Sequence, residues 1–222
     1  MSTTVATGAG GGVVSDAREA RERAGSLQVI CSFDDGGGIG MHSADLAPRS
    51  TVVPAPGALR AATNGRDYRI VFASDAGDTV RVVERTDVHA EPITDEEWRE
   101  EERKFREYRD GLGDATCDPP ALPRPDARRM IVGLWFDTGG RLWVERDSGP
   151  AATRSPDTPP DRLFDVFDSA GRLLAQVPSP ARLDRVPPFI TDAAIYLVVT
   201  DDLDVEYVKA FDLVTSGATG PG

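Results

Sequence analysis

Residues 136–142, Phe136-Asp137-Thr138-Gly139-Gly140-Arg141-Leu142, return without a gap as Phe167-Asp168-Ser169-Ala170-Gly171-Arg172-Leu173. In both stretches an Asp stands where a turn begins and a Gly stands three residues later. The Asp carboxylate is suited to bonding its own backbone, and the Gly is suited to a positive φ. The flanks read as strands. MIVGLWF precedes the first turn and RLWVERD follows it, while RLFDVFD and RLLAQV bracket the second. A last pair, AIYLVVT and VEYVKAFDL, is separated by DDLD. The segment Ala73 to Val80, ASDAGDTV, reads as a one-residue-shorter relative of the same turn. Hairpins recurring on one plan predict a repeat architecture rather than an ordinary sandwich, all strand and turn from Met130 onward.

Upstream, DYRIVFAS alternates Tyr68, Ile70 and Phe72 with outward positions, turns at Asp75-Ala76-Gly77, and returns as DTVRVVER with Val80 and Val82 on one face. Period-two alternation around a Gly-containing turn is a hairpin signal. Residues 94–112 change period. Thr94 with Glu97 three residues on forms a capping box, and Trp98, Phe105, Tyr108 and Leu112 draw a thin apolar stripe along a charged helix. A stripe so narrow predicts a helix laid across the outside of another element, ended by Gly111 or Gly113. The connector CDPPALPRP then leads back into β-structure.

Residues 1–50 lack this patterning. The first 25 are small, polar and Gly-rich and then turn into the charged DAREARERA, and LQVICSF is the one strand-like run. They cannot bury enough apolar area to offset ordering, so the expected division is a flexible or poorly ordered segment over 1–50, a β domain with a helical insertion over 51–214, and a flexible tail over 215–222.

FDTGGRLWV (Phe136 to Val144) resembles the D-x-x-G-x-L-W-V hairpin of NHL-type six-bladed β-propellers, and the resemblance extends over roughly residues 51–214. It implies an all-β fold, a partial β-propeller of antiparallel blades with one charged helical insertion at about residues 94–112. A blade takes about 40 residues, so a closed six-bladed ring needs about 240 before insertions. This chain has enough for about three blades, and an open arc exposes strand edges. The expectation is therefore a part of a longer propeller, with closure through a partner as the alternative.

Composition excludes several function classes. A net charge of −12 argues against nucleic acid and anionic lipid as partners, and no apolar run approaches the ~20 residues of a membrane span. Lys104 and Lys209 are the only lysines and Asn64 the only asparagine, so the arginine excess is compositional background rather than phosphate recognition. No secretory signal precedes the strands, which reads as cytoplasmic if Met1 is the true start and exported if the chain is truncated. Cys31 and Cys117 sit far apart without a CxxC or a nearby His, which argues against a zinc site, and whether they pair is left open.

No side chains form a catalytic constellation, and no cofactor is assigned. Gly36-Gly37-Gly38-Ile39-Gly40 follows a strand but precedes no helix before Pro48 and has no Lys, so it reads as a linker rather than a phosphate loop. Asp201, Asp202, Asp204 and Glu206 are weak metal candidates without EF-hand spacing. Trp135 and Trp143, on opposing strands of one hairpin, are ligand-binding candidates weighed against simple blade packing. His42 and His89 lie in apparent loops with no nucleophile motif. The functional expectation is a non-catalytic propeller-like protein binding an unknown protein or small-molecule ligand through blade loops. Its rivals are a metal-dependent hydrolase of the lactonase or esterase kind, made difficult by the single Asn, and a stand-alone β-protein that self-associates through open blade edges.

Overall fold

The computed structural model describes residues 3–6, 27–33, 39–146, 163–180, 186–201 and 203–214, in fifteen strands and one helix. The strands fall into four antiparallel sheets, so the chain is predominantly β, and among the described residues no sheet closes on itself. Sheet I is a meander of β4 (Thr51–Ala55), β5 (Leu59–Thr63), β6 (Arg69–Ser74) and β7 (Thr79–Arg85), with β1 (Thr3–Ala6) added beside β7. Sheet II is the meander β9 (Ile131–Phe136), β10 (Leu142–Arg146), β11 (Leu163–Phe167) and β12 (Leu173–Pro178). Sheet III holds β13 (Phe189–Ile190), β14 (Ala194–Thr200) and β15 (Glu206–Asp212).

These three sheets stack face to face in chain order, because sheet II is apolar on both sides. Leu134, Leu142, Val144 and Phe167 pack with Ala61, Tyr68, Ile70, Phe72 and Val83 of sheet I. From the opposite face, Trp143, Phe164 and Val166 pack with Ile190, Ile195 and Leu197 of sheet III. Strands buried on both sides read as near-continuous hydrophobic runs, which is how MIVGLWF and RLFDVF appear. In the first hairpin Tyr68, Ile70 and Phe72 face sheet II as their alternation predicts. Val82 pairs with Val71 on the other side, so Val83 is the β7 residue that completes this core.

Four hairpin turns share one hydrogen-bond plan. In each, the first residue's N–H donates to the carbonyl four residues on, and the residue three positions on donates back. The pairs are Ser74 with Asp78 and Gly77, Asp137 with Arg141 and Gly140, Asp168 with Arg172 and Gly171, and Asp201 with Val205 and Asp204. The 74–78 turn is therefore equal in length to the others, and the expected one-residue deletion is corrected. Ser74 replaces Asp at its start, which disguised the alignment.

The helix α1 (Asp95–Gly111) begins with the predicted capping box and ends at Leu112. It lies across a small side sheet of β3 (Ile39–Ser43), β2 (Gln28–Ser32) and β8 (Thr116–Asp118). Trp98 and Phe105 bury against Val29, Cys31, Ala44, Ala47, Ile93 and Leu122, with Tyr108 and Leu112 at the margin. The stripe covers this side sheet rather than a blade. Much of the side sheet comes from residues 27–50, within the stretch expected to be poorly ordered. What hydropathy did not register is the covalent tie: Cys31 and Cys117 stand opposite each other in β2 and β8 and form a disulfide. The predicted tail over 215–222 lies outside the described residues.

Candidate functional site

Alternating hairpin direction collects the turns of the stack at one end. The β4–β5 and β6–β7 turns close sheet I on the same side, as the β9–β10 and β11–β12 turns do for sheet II. Contacts between sheets align the two sets. Gly140 approaches the Pro56 ring, so that a Cβ there would lie 3.4 Å from Pro56 Cγ. Arg81 donates to the Ser169 carbonyl, and Thr138 N–H donates to the Ile190 carbonyl at 3.1 Å. The 201–205 turn, one strand further along sheet III, falls at the opposite end.

Within this turn surface Asp137 and Asp168 are already engaged. Asp137 Oδ1 accepts from the Gly139 and Arg141 amides, and its Oδ2 accepts from Arg141 Nε and, at 2.9 Å, from Trp143 Nε1. Asp168 repeats the arrangement with the Ala170 and Arg172 amides and Arg172 Nε. Its carboxyl is held below the usual range by the Arg172 amide first, with desolvation opposing, and then by the Arg172 guanidinium. Thr138, Gly139, Ser169 and Ala170 are exposed on this end, beside the exposed Pro56 to Ala58 and Asp75, Ala76 and Asp78 of sheet I.

At the I–II junction lies a buried charge network. Asp165, fully buried, accepts from Tyr68 Oη at 2.6 Å, Arg85 Nη1 at 2.8 Å and Gln176 Nε2 at 2.8 Å, and Arg146 Nε stands 2.9 Å away. Burial, then the Asp165 charge, pushes the Tyr68 hydroxyl well above its ordinary pKa. Arg85 also forks onto Asp87. Every partner comes from a different strand or loop, so the network ties the two sheets in one register.

A second polar group joins the side sheet to α1. Lys104 bonds Asp45 at 3.1 Å and the buried Glu101 at 2.9 Å, and Glu101 also accepts from the Asp45 amide. Partial burial opposes ionisation of Asp45, but the Lys104 bond and charge outweigh it and lower its pKa. His42 stacks on Tyr108 with centroids 4.8 Å apart, and burial lowers its pKa against the attraction of Asp45 and Glu101.

The predicted site residues separate. Trp143 is buried between sheets II and III and edge-packs Phe164; Trp135, directly across the β9–β10 ladder, also meets Phe164 and is only partly accessible. Both serve the inter-sheet core. Asp201 spends Oδ1 on the Leu203 and Val205 amides, Asp204 takes the turn's positive-φ position, and Glu206 begins β15 opposite Thr200. Asp202 and Gly36 to Gly38 lie outside the described residues, and Ile39 and Gly40 open a strand rather than a helix. Among the described residues, no three His, Cys, Asp or Glu side chains gather as a metal would require, and no helix is long and apolar enough to cross a membrane.

The Asp165 network escaped sequence reading. Its signal was a polar residue inside RLFDVF, an apolar run otherwise typical of a doubly covered strand. No family model, curated protein or solved structure matches the chain.

Proposed function

We propose that this chain is a non-catalytic binding protein of β-propeller type, resembling NHL-type six-bladed propellers. In this reading sheets I, II and III act as successive blades, and the collected hairpin turns receive a ligand. The carrying observation is the common hydrogen-bond plan of the turns at Ser74, Asp137 and Asp168, which lie together at one end of the stack. Face-to-face stacking in chain order supports it further, since β4 and β9, the first strands of successive meanders, lie side by side. The turn surface favours a protein ligand over a small molecule. Asp137 and Asp168 bond their own backbone, and the outward Thr138, Ser169 and Ala170 are small side chains that enclose no ligand.

The test uses purified full chain. Hydrolysis of p-nitrophenyl acetate or γ-butyrolactone that EDTA abolishes would overturn the reading in favour of a metal-dependent hydrolase. The positive arm cross-links the chain in a lysate of its own source and compares wild type with Thr138→Arg/Ser169→Arg. A protein captured by wild type and lost from the double variant supports the turn surface; equal capture by both overturns it.

A further inference from the structure

Sheets I and II each contain a meander of four strands, β4–β7 and β9–β12, whereas sheet III contains three among the described residues and ends on β15. At the two ends of the β14–β15 ladder, Asp201 N–H donates to the Val205 carbonyl and Leu213 N–H to the Ala193 carbonyl. Bonded and non-bonded pairs alternate along an antiparallel ladder, so Tyr207, Lys209 and Phe211 bond β14. Glu206, Val208, Ala210 and Asp212 therefore turn their N–H and C=O groups to the free edge, and all four residues are exposed. Their side chains share one face with Phe189, Tyr196 and Val198, the face turned away from sheet II. Val208 is 68 % exposed and Phe189 60 %. An edge with a bare ladder and apolar side chains beside it is a template for a further strand.

We propose that the β15 edge binds an extended basic segment of another protein, which adds antiparallel as a fourth strand of sheet III. Charge selects this occupant. Glu206 and Asp212 stand at either end of the free ladder, and the one base in β15, Lys209, lies on the opposite face over the Phe211 ring. Neither acid has an ion-pair partner among the described residues. A second copy is the wrong occupant. Pairing β15 with itself about its centre sets Glu206 of each copy opposite Asp212 of the other, and like charges directly opposite destabilise a ladder. A strand with Lys or Arg opposite Glu206 and Asp212 turns both contacts favourable. Between them, side chains opposite Val208 and Ala210 continue the apolar face, so β-branched residues fit there. The recognised pattern is base–x–apolar–x–apolar–x–base. The site is the edge of sheet III and does not depend on ligand capture at the hairpin turns.

Fluorescence anisotropy of labelled heptapeptides against the purified full chain tests it. KTVTVTR, amidated at its C-terminus, places Lys opposite Asp212 and Arg opposite Glu206; ETVTVTE is its acidic counterpart. Wild type is expected to bind KTVTVTR at least about tenfold more tightly than ETVTVTE. Glu206→Lys/Asp212→Lys, with both changes at exposed positions, keeps the wild-type circular dichroism spectrum and reverses the preference. KTVTVTR methylated on the backbone nitrogens of its two valines loses the donors that face β15, and is expected not to bind. Equal binding of the two peptides by wild type overturns the proposal. So does an unchanged preference in the double variant, or undiminished binding of the methylated peptide, which would mean attraction without a ladder. Absence of binding overturns it as well, and a wild type that is then dimeric by sedimentation velocity gives the edge to a second copy.

Discussion

Asp204 holds in the β14–β15 turn the left-handed position that Gly140 holds in the β9–β10 turn, with φ of 58° and 79° respectively. Each donates its N–H to the residue that opens its turn, Asp204 to Asp201 and Gly140 to Asp137. A side chain in this conformation costs about 1–2 kcal/mol, less for Asp, whose carboxylate bonds locally. Opposite outcomes follow at equivalent sites. Asp204→Gly is expected to stabilise by about 0.5 kcal/mol, the relief being partly offset by the looser unfolded chain. Gly140→Ala is expected to destabilise by about 1–2 kcal/mol. Urea denaturation midpoints check both; equal signs would show that the turns differ in kind.

The turn-opening aspartates differ in what they support. Asp137 is buried and accepts from two amides, a guanidinium and the Trp143 indole, whereas the exposed Asp201 accepts, among the described residues, from two amides. Asp137→Ala strands a buried indole N–H and is expected to cost about 3 kcal/mol; Asp201→Ala is expected to cost about 1 kcal/mol. Denaturation with Trp fluorescence reads the difference, and comparable losses would contradict the assigned roles.

At the I–II junction, Asp165 is the common partner of Tyr68 and Arg85. Removing it deprives Arg146 of the carboxylate 2.9 Å away, leaves the buried Arg85 with Asp87 alone and strands the Tyr68 hydroxyl, so Asp165→Ala is expected to cost about 3–5 kcal/mol. Tyr68→Phe removes one bond and keeps the ring, at about 1–2 kcal/mol. If Tyr68→Phe proved the more damaging, the ring's packing rather than the carboxylate would govern the junction.

How much of this was legible follows from the range of each interaction. The turns at Asp137 and Asp168 and the capping box at Thr94 are local, set by residues three or four apart, and sequence displays them directly. The Ser74 turn was misjudged by one residue because Ser and Asp fill the same role with different side chains. The partners of Asp165 come from residues 68 to 176, and no periodicity announces which will meet. The same holds for Cys31 and Cys117, whose pairing required the side sheet to exist first. Trp135 and Trp143 were correctly placed on facing strands, but sequence could not say that sheet III would cover them.

The disulfide joins residues 86 apart, the separation over which loop-closure entropy is large. A chain-entropy estimate gives about 4–5 kcal/mol as a ceiling, and about 2–4 kcal/mol is typical. Cys31→Ser/Cys117→Ser, or wild type in dithiothreitol, is expected to melt lower by that amount of stability. Thermal melts with and without reductant check it. An unchanged midpoint would mean that the packing of Trp98 and Phe105 holds the side sheet unaided.

His42 gives the pH dependence of that side sheet. Stacked on Tyr108 and Phe105, it is partly desolvated, and burial lowers its pKa below 6.5; Arg49 and Lys104 act in the same direction, Asp45 and Glu101 against it. A histidine with a depressed folded-state pKa binds protons more readily when unfolded. Its contribution is therefore fully present above pH 6.5 and lost as pH falls through that value toward the lower folded-state pKa. Asp45, lowered from 3.8, acts in a separate and more acidic window. Wild type is expected to lose denaturant stability relative to His42→Phe as pH drops below 6.5, with the difference constant above it. Chemical denaturation of both proteins from pH 5 to 8 checks this. A difference that grew in the other direction would show that Asp45 and Glu101 hold His42 protonated, and that the ring contact with Tyr108 is made by the imidazolium.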